Sequence, residues 1–212
     1  MIRILIADDH AILRRGLKEI LVRELEGVEC GEAGSAQQVL SEVQSDNWDL
    51  LILDVMMPGR SGLDILRDLK GLRPKLPVLV LSTYPEALLG KRALKAGASG
   101  YMNKECAPED LIKAVRRVLA GGRYVSPALA EMLALDLELN RRGDEPLHAR
   151  LSDREMEVLR LMGTGKTVSQ IADLLHLSVT TVSTYRAHIL EKMQLTTTAE
   201  LISYALRNGI VE

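Results

Sequence analysis

Residues 49–54, Asp49-Leu50-Leu51-Ile52-Leu53-Asp54, decide the fold: four apolar side chains stand on consecutive positions between two acids. A strand with one wetted face alternates apolar and polar residues, so an unbroken apolar run reads as a strand covered on both faces, as in a parallel sheet flanked by helices. Val78-Leu79-Val80-Leu81 repeats the pattern. Working outward, β-rich runs at 3–7, 28–32, 49–53, 77–81 and 99–102 alternate with stretches of helical period at 11–25, 35–45, 62–71, 86–96 and 108–120. Five such units predict a doubly wound α/β domain over residues 1–121 with a five-stranded parallel sheet. Pro108 just inside the last helix and Gly121-Gly122 just beyond it follow the usual start and stop asymmetry.

After Gly122 the strand pattern stops. Residues 127–139 read as an amphipathic helix with Leu129, Met132, Leu133 and Leu137 on one side, followed by a polar tether from Asn140 to Pro146; together they make residues 122–150 a linker. Residues 151–212 carry helix signals only. Ser152 with Glu155, Thr167 with Gln170 and Thr197 with Glu200 have the spacing of reciprocal caps, and Ser178 can cap a further helix without an acidic partner. The short turn Leu175-His176-Leu177 before Ser178 predicts two helices at a steep angle, a helix-turn-helix, within a smaller all-α domain.

Composition narrows the function. The 212 residues are 47% hydrophobic and 26% charged, which supplies two ordinary cores. With five Tyr, one Trp and no Phe, stacking of bases on aromatic rings is a poor expectation. The net charge of −2 argues against a simple nucleic-acid binder. Cys30 and Cys106 form no C-x-x-C pair and fit a reducing compartment as buried spectator thiols. Asp8 and Asp9 interrupt the N-terminal apolar run where a signal peptide needs apolar residues, and no run reaches membrane-spanning length, so a cytoplasmic protein is expected.

The acids at strand ends point to chemistry. Ligands of an open parallel sheet collect at the carboxyl ends of its strands, where Asp8 and Asp9 follow the first strand and Asp54 the third. Converging carboxylates repel one another unless a hard cation is present, and Mg²⁺ selects such oxygen donors. Ser82 ends the fourth strand and Lys104 follows the fifth, adding a hydroxyl and an ammonium. Taken singly, Asp9 is a helix N-cap, Ser82 a turn hydroxyl and Lys104 a surface charge. Together they suit phosphoryl transfer to Asp54 as nucleophile.

Four segments carry a family resemblance: Ile6-Ala7-Asp8-Asp9-His10, Leu53-Asp54-Val55-Met56-Met57-Pro58-Gly59, Val80-Leu81-Ser82 and Gly100-Tyr101-Met102-Asn103-Lys104. They resemble the receiver domains of two-component response regulators, which implies a flavodoxin-like sheet. By that resemblance Asp54 accepts a phosphoryl group from a sensor histidine kinase. Asp9, Asp54 and the backbone carbonyl of Met56 ligate Mg²⁺, with Asp8 acting through water. Ser82 and Tyr101 form the switch that senses the phosphoryl group. Glu105 follows Lys104 where many receivers have Pro.

The stretch from Leu151-Ser152-Asp153-Arg154-Glu155 to Val211, with Ile171-Ala172, Leu177-Ser178, Thr181-Val182 and Tyr204-Ala205-Leu206-Arg207-Asn208-Gly209, resembles the LuxR-type helix-turn-helix of the NarL/FixJ subfamily. On the third helix of this domain, Val182, Ile189 and Met193 are expected inside, and Ser183, Thr184 and Ala187 outside. The resemblance makes those outer three the base readers. It makes Thr167, Ser178, Thr181, Tyr185, Arg186 and Lys192 phosphate or sugar contacts. The sequence departs from the subfamily at Tyr185, usually His, at Val168-Ser169, usually more polar and basic, and at Thr198, often Arg. From 151 onward six Lys/Arg (Arg154, Arg160, Lys166, Arg186, Lys192, Arg207) face seven Asp/Glu (Asp153, Glu155, Glu157, Asp173, Glu191, Glu200, Glu212). Weak intrinsic DNA affinity is expected, raised by homodimerisation on paired half-sites.

The implied function is a phosphorylation-dependent transcription regulator that binds double-stranded promoter DNA and is not an enzyme. An aspartyl-phosphate phosphatase is disfavoured because such enzymes usually have a second acid two residues after the nucleophile, where this chain has Met56. A protein-binding adaptor is the other alternative, favoured only by the low basic charge.

Overall fold

The computed structural model describes residues 1–57, 62–140 and 146–211, and the chain divides into two compact units, Met1–Leu135 and Asp136–Glu212. The first unit alternates strands and helices throughout: β1 (Ile2–Ala7), α1 (Ala11–Glu24), β2 (Val28–Ala33), α2 (Ala36–Ser45), β3 (Leu50–Asp54), α3 (Gly62–Leu72), β4 (Val78–Ser82), α4 (Glu86–Lys95), β5 (Gly100–Asn103) and α5 (Pro108–Leu119). Every strand pair is parallel and the order is β2-β1-β3-β4-β5. Every residue of β3 and β4 is buried, the outcome the apolar runs predict.

Alternate strand residues serve opposite faces. Leu51, Leu53, Val78 and Val80 join one core with residues of α2, α3 and α4, whereas Leu50, Ile52, Leu79 and Leu81 join the other with residues of α1 and α5. At the amino end of β3, Trp48 lies against Gly31, where an added Cβ would stand 2.2 Å from its ring, and Arg3 stacks 4.6 Å from the ring centroid. Removing one wholly buried leucine such as Leu53 costs about 2–5 kcal/mol.

The strand order places the reversal of winding between β1 and β3. The crevice beyond their carboxyl ends is where open α/β sheets receive ligands. Asp8 and Asp9 lie just past β1, Asp54 is the last residue of β3, Ser82 the last of β4, and Lys104 follows β5.

Three readings need correction. Asp9 does not cap α1, because the cap position falls on His10. Cys30 and Cys106 are half-buried free thiols rather than fully buried ones, and burial pushes both thiol pKa values up. The helix α6 (Pro127–Asn140) buries Leu129 completely and Leu133 partly, but Met132 is 37% exposed; Leu135, off that stripe, is 54% exposed. Apolar residues ring α6, and among its described side chains Leu129 and Leu133 join the receiver core. The side chain of Leu137, the tether residues 141–145 and the Pro58-Gly59 part of the motif lie outside what is described.

In the second unit a single 3-10 turn (Leu147–Arg150) precedes α7 (Asp153–Gly163), α8 (Val168–Leu175), α9 (Val179–Met193) and α10 (Thr198–Arg207). All three expected capping boxes form, and Ser178 caps α9 by accepting from the Thr181 amide. The turn between α8 and α9 needs a left-handed residue, and His176 supplies it at φ 51. Its geometry is closed by the Leu177 amide on the Ala172 carbonyl at 2.9 Å. Arg154 donates from α7 to the Leu175 carbonyl at 3.2 Å, clamping the end of α8. Val182, Ile189 and Met193 are wholly buried.

Candidate functional site

The carboxyl ends of β1, β3 and β5 bring three charges into one nearly dry pocket. Asp8 is 2% exposed and Asp54 1%. The Lys104 ammonium bridges them, 2.6 Å from Asp8 Oδ2 and 2.8 Å from Asp54 Oδ2. Ligand atoms of Asp8, Asp9, His10 and Asp54 all lie within 4.8 Å of one another. Burial pushes the Asp54 carboxyl pKa up, opposed by Lys104 and by the Met56 amide, which donates to Asp54 Oδ1 at 2.9 Å. Burial also works against the Lys104 charge, but its bonds to Asp54 and Asp8 outweigh it and the pKa is raised.

These donors fit a hard divalent cation. Three carboxylates meet one ammonium, leaving an excess of negative charge, and oxygens dominate the donor set. Asp9 Oδ1 is buried with no hydrogen-bond partner among the described residues; His10 Nδ1 lies 2.9 Å away without the alignment of a hydrogen bond. An orphaned buried carboxylate oxygen is costly unless something cationic satisfies it.

Two more elements converge on the pocket. The Ser82 carbonyl accepts the Lys104 amide at 2.8 Å, and the wholly buried Ser82 hydroxyl accepts the Tyr84 amide at 3.1 Å. Tyr101, also wholly buried, donates its phenol to the Tyr84 carbonyl at 2.8 Å, and burial raises its pKa well above the ordinary value. Ser82 and Tyr101 therefore meet at the backbone of one residue, Tyr84.

Sequence reasoning missed two neighbours. Arg14, six residues beyond Asp8, donates to the Asp8 carbonyl at 2.6 Å and to Glu32 at 3.3 Å, tying the ends of β1 and β2 together. Its position on α1 carries no signal for this, since only the fold shows which helical arginine turns back over the strand end. His10 was legible as part of a motif but not as a member of the acidic cluster; its ring nitrogen lies 3.1 Å from Asp8 Oδ1.

In the second unit Thr184 and Ala187 are exposed on α9 and Ser183 is half-buried, so the three share the outer side. Thr184 spends its hydroxyl proton on the Thr180 carbonyl at 3.0 Å, keeping its oxygen as an acceptor. Thr167 and Ser178 are exposed caps, and Thr181 shares its hydroxyl with Ser178 at 2.7 Å. Tyr185 and Arg186 are half-buried, and Arg186 Nε has no hydrogen-bond partner among the described residues. Lys192 is engaged with Glu155.

Comparison with known proteins agrees with both units. Residues 4–116 match the response regulator receiver domain, and residues 149–205 match the luxR family of bacterial regulatory proteins. The chain belongs to the response regulators of the NarL/FixJ type, with a receiver domain followed by a LuxR-type helix-turn-helix DNA-binding domain. It is 36% identical to the response regulator GacA of Pseudomonas aeruginosa over 100% of this chain and 99% of that one. It is 38% identical to the transcriptional activator protein ExaE of Pseudomonas putida, covering 98% and 97%. Among solved structures, the RcsB–DNA complex aligns over 96% of each chain with a TM-score of 0.59 and 26% identity.

Proposed function

We propose that the chain is a phosphorylation-gated transcription regulator in which Asp54 takes a phosphoryl group from a sensor histidine kinase and thereby alters dimerisation and promoter binding. The observation that carries this is the Lys104 ammonium held between Asp8 and Asp54 at the switch point of the sheet. In the transfer an Asp54 carboxylate oxygen forms a bond to phosphorus as the phosphorus–nitrogen bond of a phosphohistidine breaks, and the leaving imidazole takes up a proton. Lys104 offsets charge on the phosphoryl oxygens as it arrives, and the Met56 amide orients the Asp54 carboxylate. Mg²⁺, held by Asp9, Asp54 and the Met56 carbonyl with Asp8 acting through water, would supply further charge neutralisation.

The functional boundaries under this reading are a receiver at 1–121, a linker at 122–150 and a DNA-binding domain at 151–212. Ser183, Thr184 and Ala187 read bases from the major groove; Thr167, Ser178, Thr181, Tyr185, Arg186 and Lys192 contact phosphates and sugars. The relative RcsB is described as a DNA complex, which supports the DNA-binding part. A homodimer compensates for a module with no net basic charge. The protein acts in the cytoplasm and turns over no substrate; among the described residues no helix is long and apolar enough to cross a membrane.

The test compares wild type with Asp54→Asn, each given Mg²⁺ and a small-molecule phosphoryl donor. Wild type is expected to gain one phosphoryl group by intact mass, to dimerise and to bind promoter fragments more tightly, while Asp54→Asn does none of these. Identical behaviour of the two proteins overturns the reading.

A further inference from the structure

The head of α6 is fastened to α4 at two points. Ser126 caps α6, accepting the Leu129 amide at 3.1 Å, and its hydroxyl is hydrogen-bonded to the Glu86 carboxylate in the first turn of α4. One turn along α4, Gly90 faces Leu129: a Cβ built at Gly90 would stand 2.8 and 2.9 Å from the two Leu129 methyl carbons. Glycine weakens a helix interior relative to alanine. At Gly90 the missing side chain is the hole that Leu129 fills, and Leu129 is wholly buried with Tyr84, Leu89 and Ala93 in the same core.

The other end of this connection is the acidic pocket. Tyr84 gives its amide to the Ser82 hydroxyl and its carbonyl accepts the Tyr101 phenol, and Pro85 and Glu86 follow immediately at the start of α4. A rotation of the Ser82 side chain that carries its oxygen toward a phosphoryl group on Asp54, rather than a turn of the hydroxyl proton alone, takes an acceptor away from the Tyr84 amide. The turn that aims Glu86 at Ser126 then loses one of its fixed points.

We propose that the Glu86–Ser126 and Gly90–Leu129 contacts form a latch that holds the head of α6 on α4 in the unmodified chain and opens when Asp54 is phosphorylated. The proposal rests on the reading of Asp54 as phosphoryl acceptor. It adds the route by which that event reaches the segment leading out of the receiver. Two arrangements of packed side chains, biased by a local charge event, suffice for the coupling.

Amide hydrogen exchange on the full chain tests it, with and without Mg²⁺ and acetyl phosphate, while intact mass reports phosphoryl uptake separately. In wild type, amides of residues 129–133 are expected to exchange about tenfold faster once the phosphoryl group is on, within the usual range of allosteric coupling. Glu86→Ala, which leaves the Ser126 cap in place, and Gly90→Ala are each expected to show fast exchange there without any donor, with α5 still protected. Gly90→Ala separates the latch from ordinary helix propensity, which alone would leave α6 unchanged and make α4 more protected. If it fails to fold, Glu86→Ala carries the same expectation. Phosphoryl uptake with unchanged exchange at 129–133 overturns the latch alone; failure to take up phosphoryl overturns both the latch and the reading beneath it.

Discussion

The Lys192 ammonium on α9 lies 2.8 and 2.7 Å from the two carboxylate oxygens of Glu155 on α7. Glu155 is 3% exposed and also closes the Ser152 capping box, so one side chain starts α7 and pins α9. Burial opposes the Glu155 charge, but Lys192 and the Ser152 amide and hydroxyl outweigh it, and its pKa is lowered. A depressed folded pKa contributes stability that is present above the unfolded value of about 4.3 and is lost as pH falls through the folded value. Lys192→Met is therefore expected to move the acid limb of unfolding to higher pH and to cost about 1–2 kcal/mol near neutral pH. Denaturant titrations from neutral to acid pH measure both, and an unchanged acid limb contradicts the account.

His176 adopts a left-handed conformation without being glycine. Such a residue costs about 1–2 kcal/mol relative to one free of a Cβ, partly offset by the greater chain entropy of glycine when unfolded. His176→Gly is expected to stabilise the second unit by about 0.5–1 kcal/mol, read as a rise in its denaturant midpoint. A fall would mean that the imidazole makes a contact the geometry does not show.

Arg14 holds the carbonyl of Asp8, next to a proposed metal ligand. Groups supporting a ligand typically matter by about 10–100-fold in metal affinity. Arg14→Gln is expected to weaken Mg²⁺ binding by about tenfold in calorimetric titration, with partial rescue in Arg14→Lys, which keeps a donor for that carbonyl. Equal affinities in all three proteins would remove Arg14 from the site.

Saturating Mg²⁺ is expected to raise the melting temperature of the wild-type chain, and chelation to reverse the rise. A ligand at a hundred times its Kd adds about 2.7 kcal/mol to the state that binds it. In Asp9→Asn, which neutralises the orphaned carboxylate, most of the rise is expected to vanish. A rise of full size in that variant would place the cation elsewhere.

Arg186 is expected to act on DNA without regard to sequence. Its replacement by Ala should weaken binding to all fragments alike and lower the salt slope by about one, whereas Ser183→Ala should alter preference at single base positions. Mobility shifts at several salt concentrations distinguish the two behaviours.

The order of elements was legible in both units because each signal was local: apolar runs for β3 and β4 and Pro108 and Gly121 around α5 in the receiver, and S/T-x-x-E/Q spacing at three helix starts in the second unit. Asp54, Ser82 and Lys104 were legible as a set because strand ends in a parallel sheet share one edge. What stayed hidden depended on long-range geometry. Arg14 and Lys192 look like ordinary helix-surface cations until the fold places a carbonyl or a carboxylate beside them. Met132 sits on the predicted apolar stripe of α6, yet it is 37% exposed while Leu129 and Leu133, before and after it, join the receiver core. Periodicity says which residues share a side, not how far a partner surface extends.

Trp48 is the chain's one tryptophan, and it is seated on Gly31 just before β3. The strand β3 runs from beside it to Asp54, about 13 Å from Leu50 to Asp54 at a strand's rise per residue. Its emission therefore follows the melting of the receiver while staying almost blind to chemistry at the opposite rim of the sheet. The DNA-binding half, whose aromatic residues are Tyr185 and Tyr204, contributes no indole signal. Fluorescence thus reports the melting of the receiver alone and far-ultraviolet dichroism on the same sample the sum of both halves, so a difference between the two curves belongs to the DNA-binding half of the intact chain.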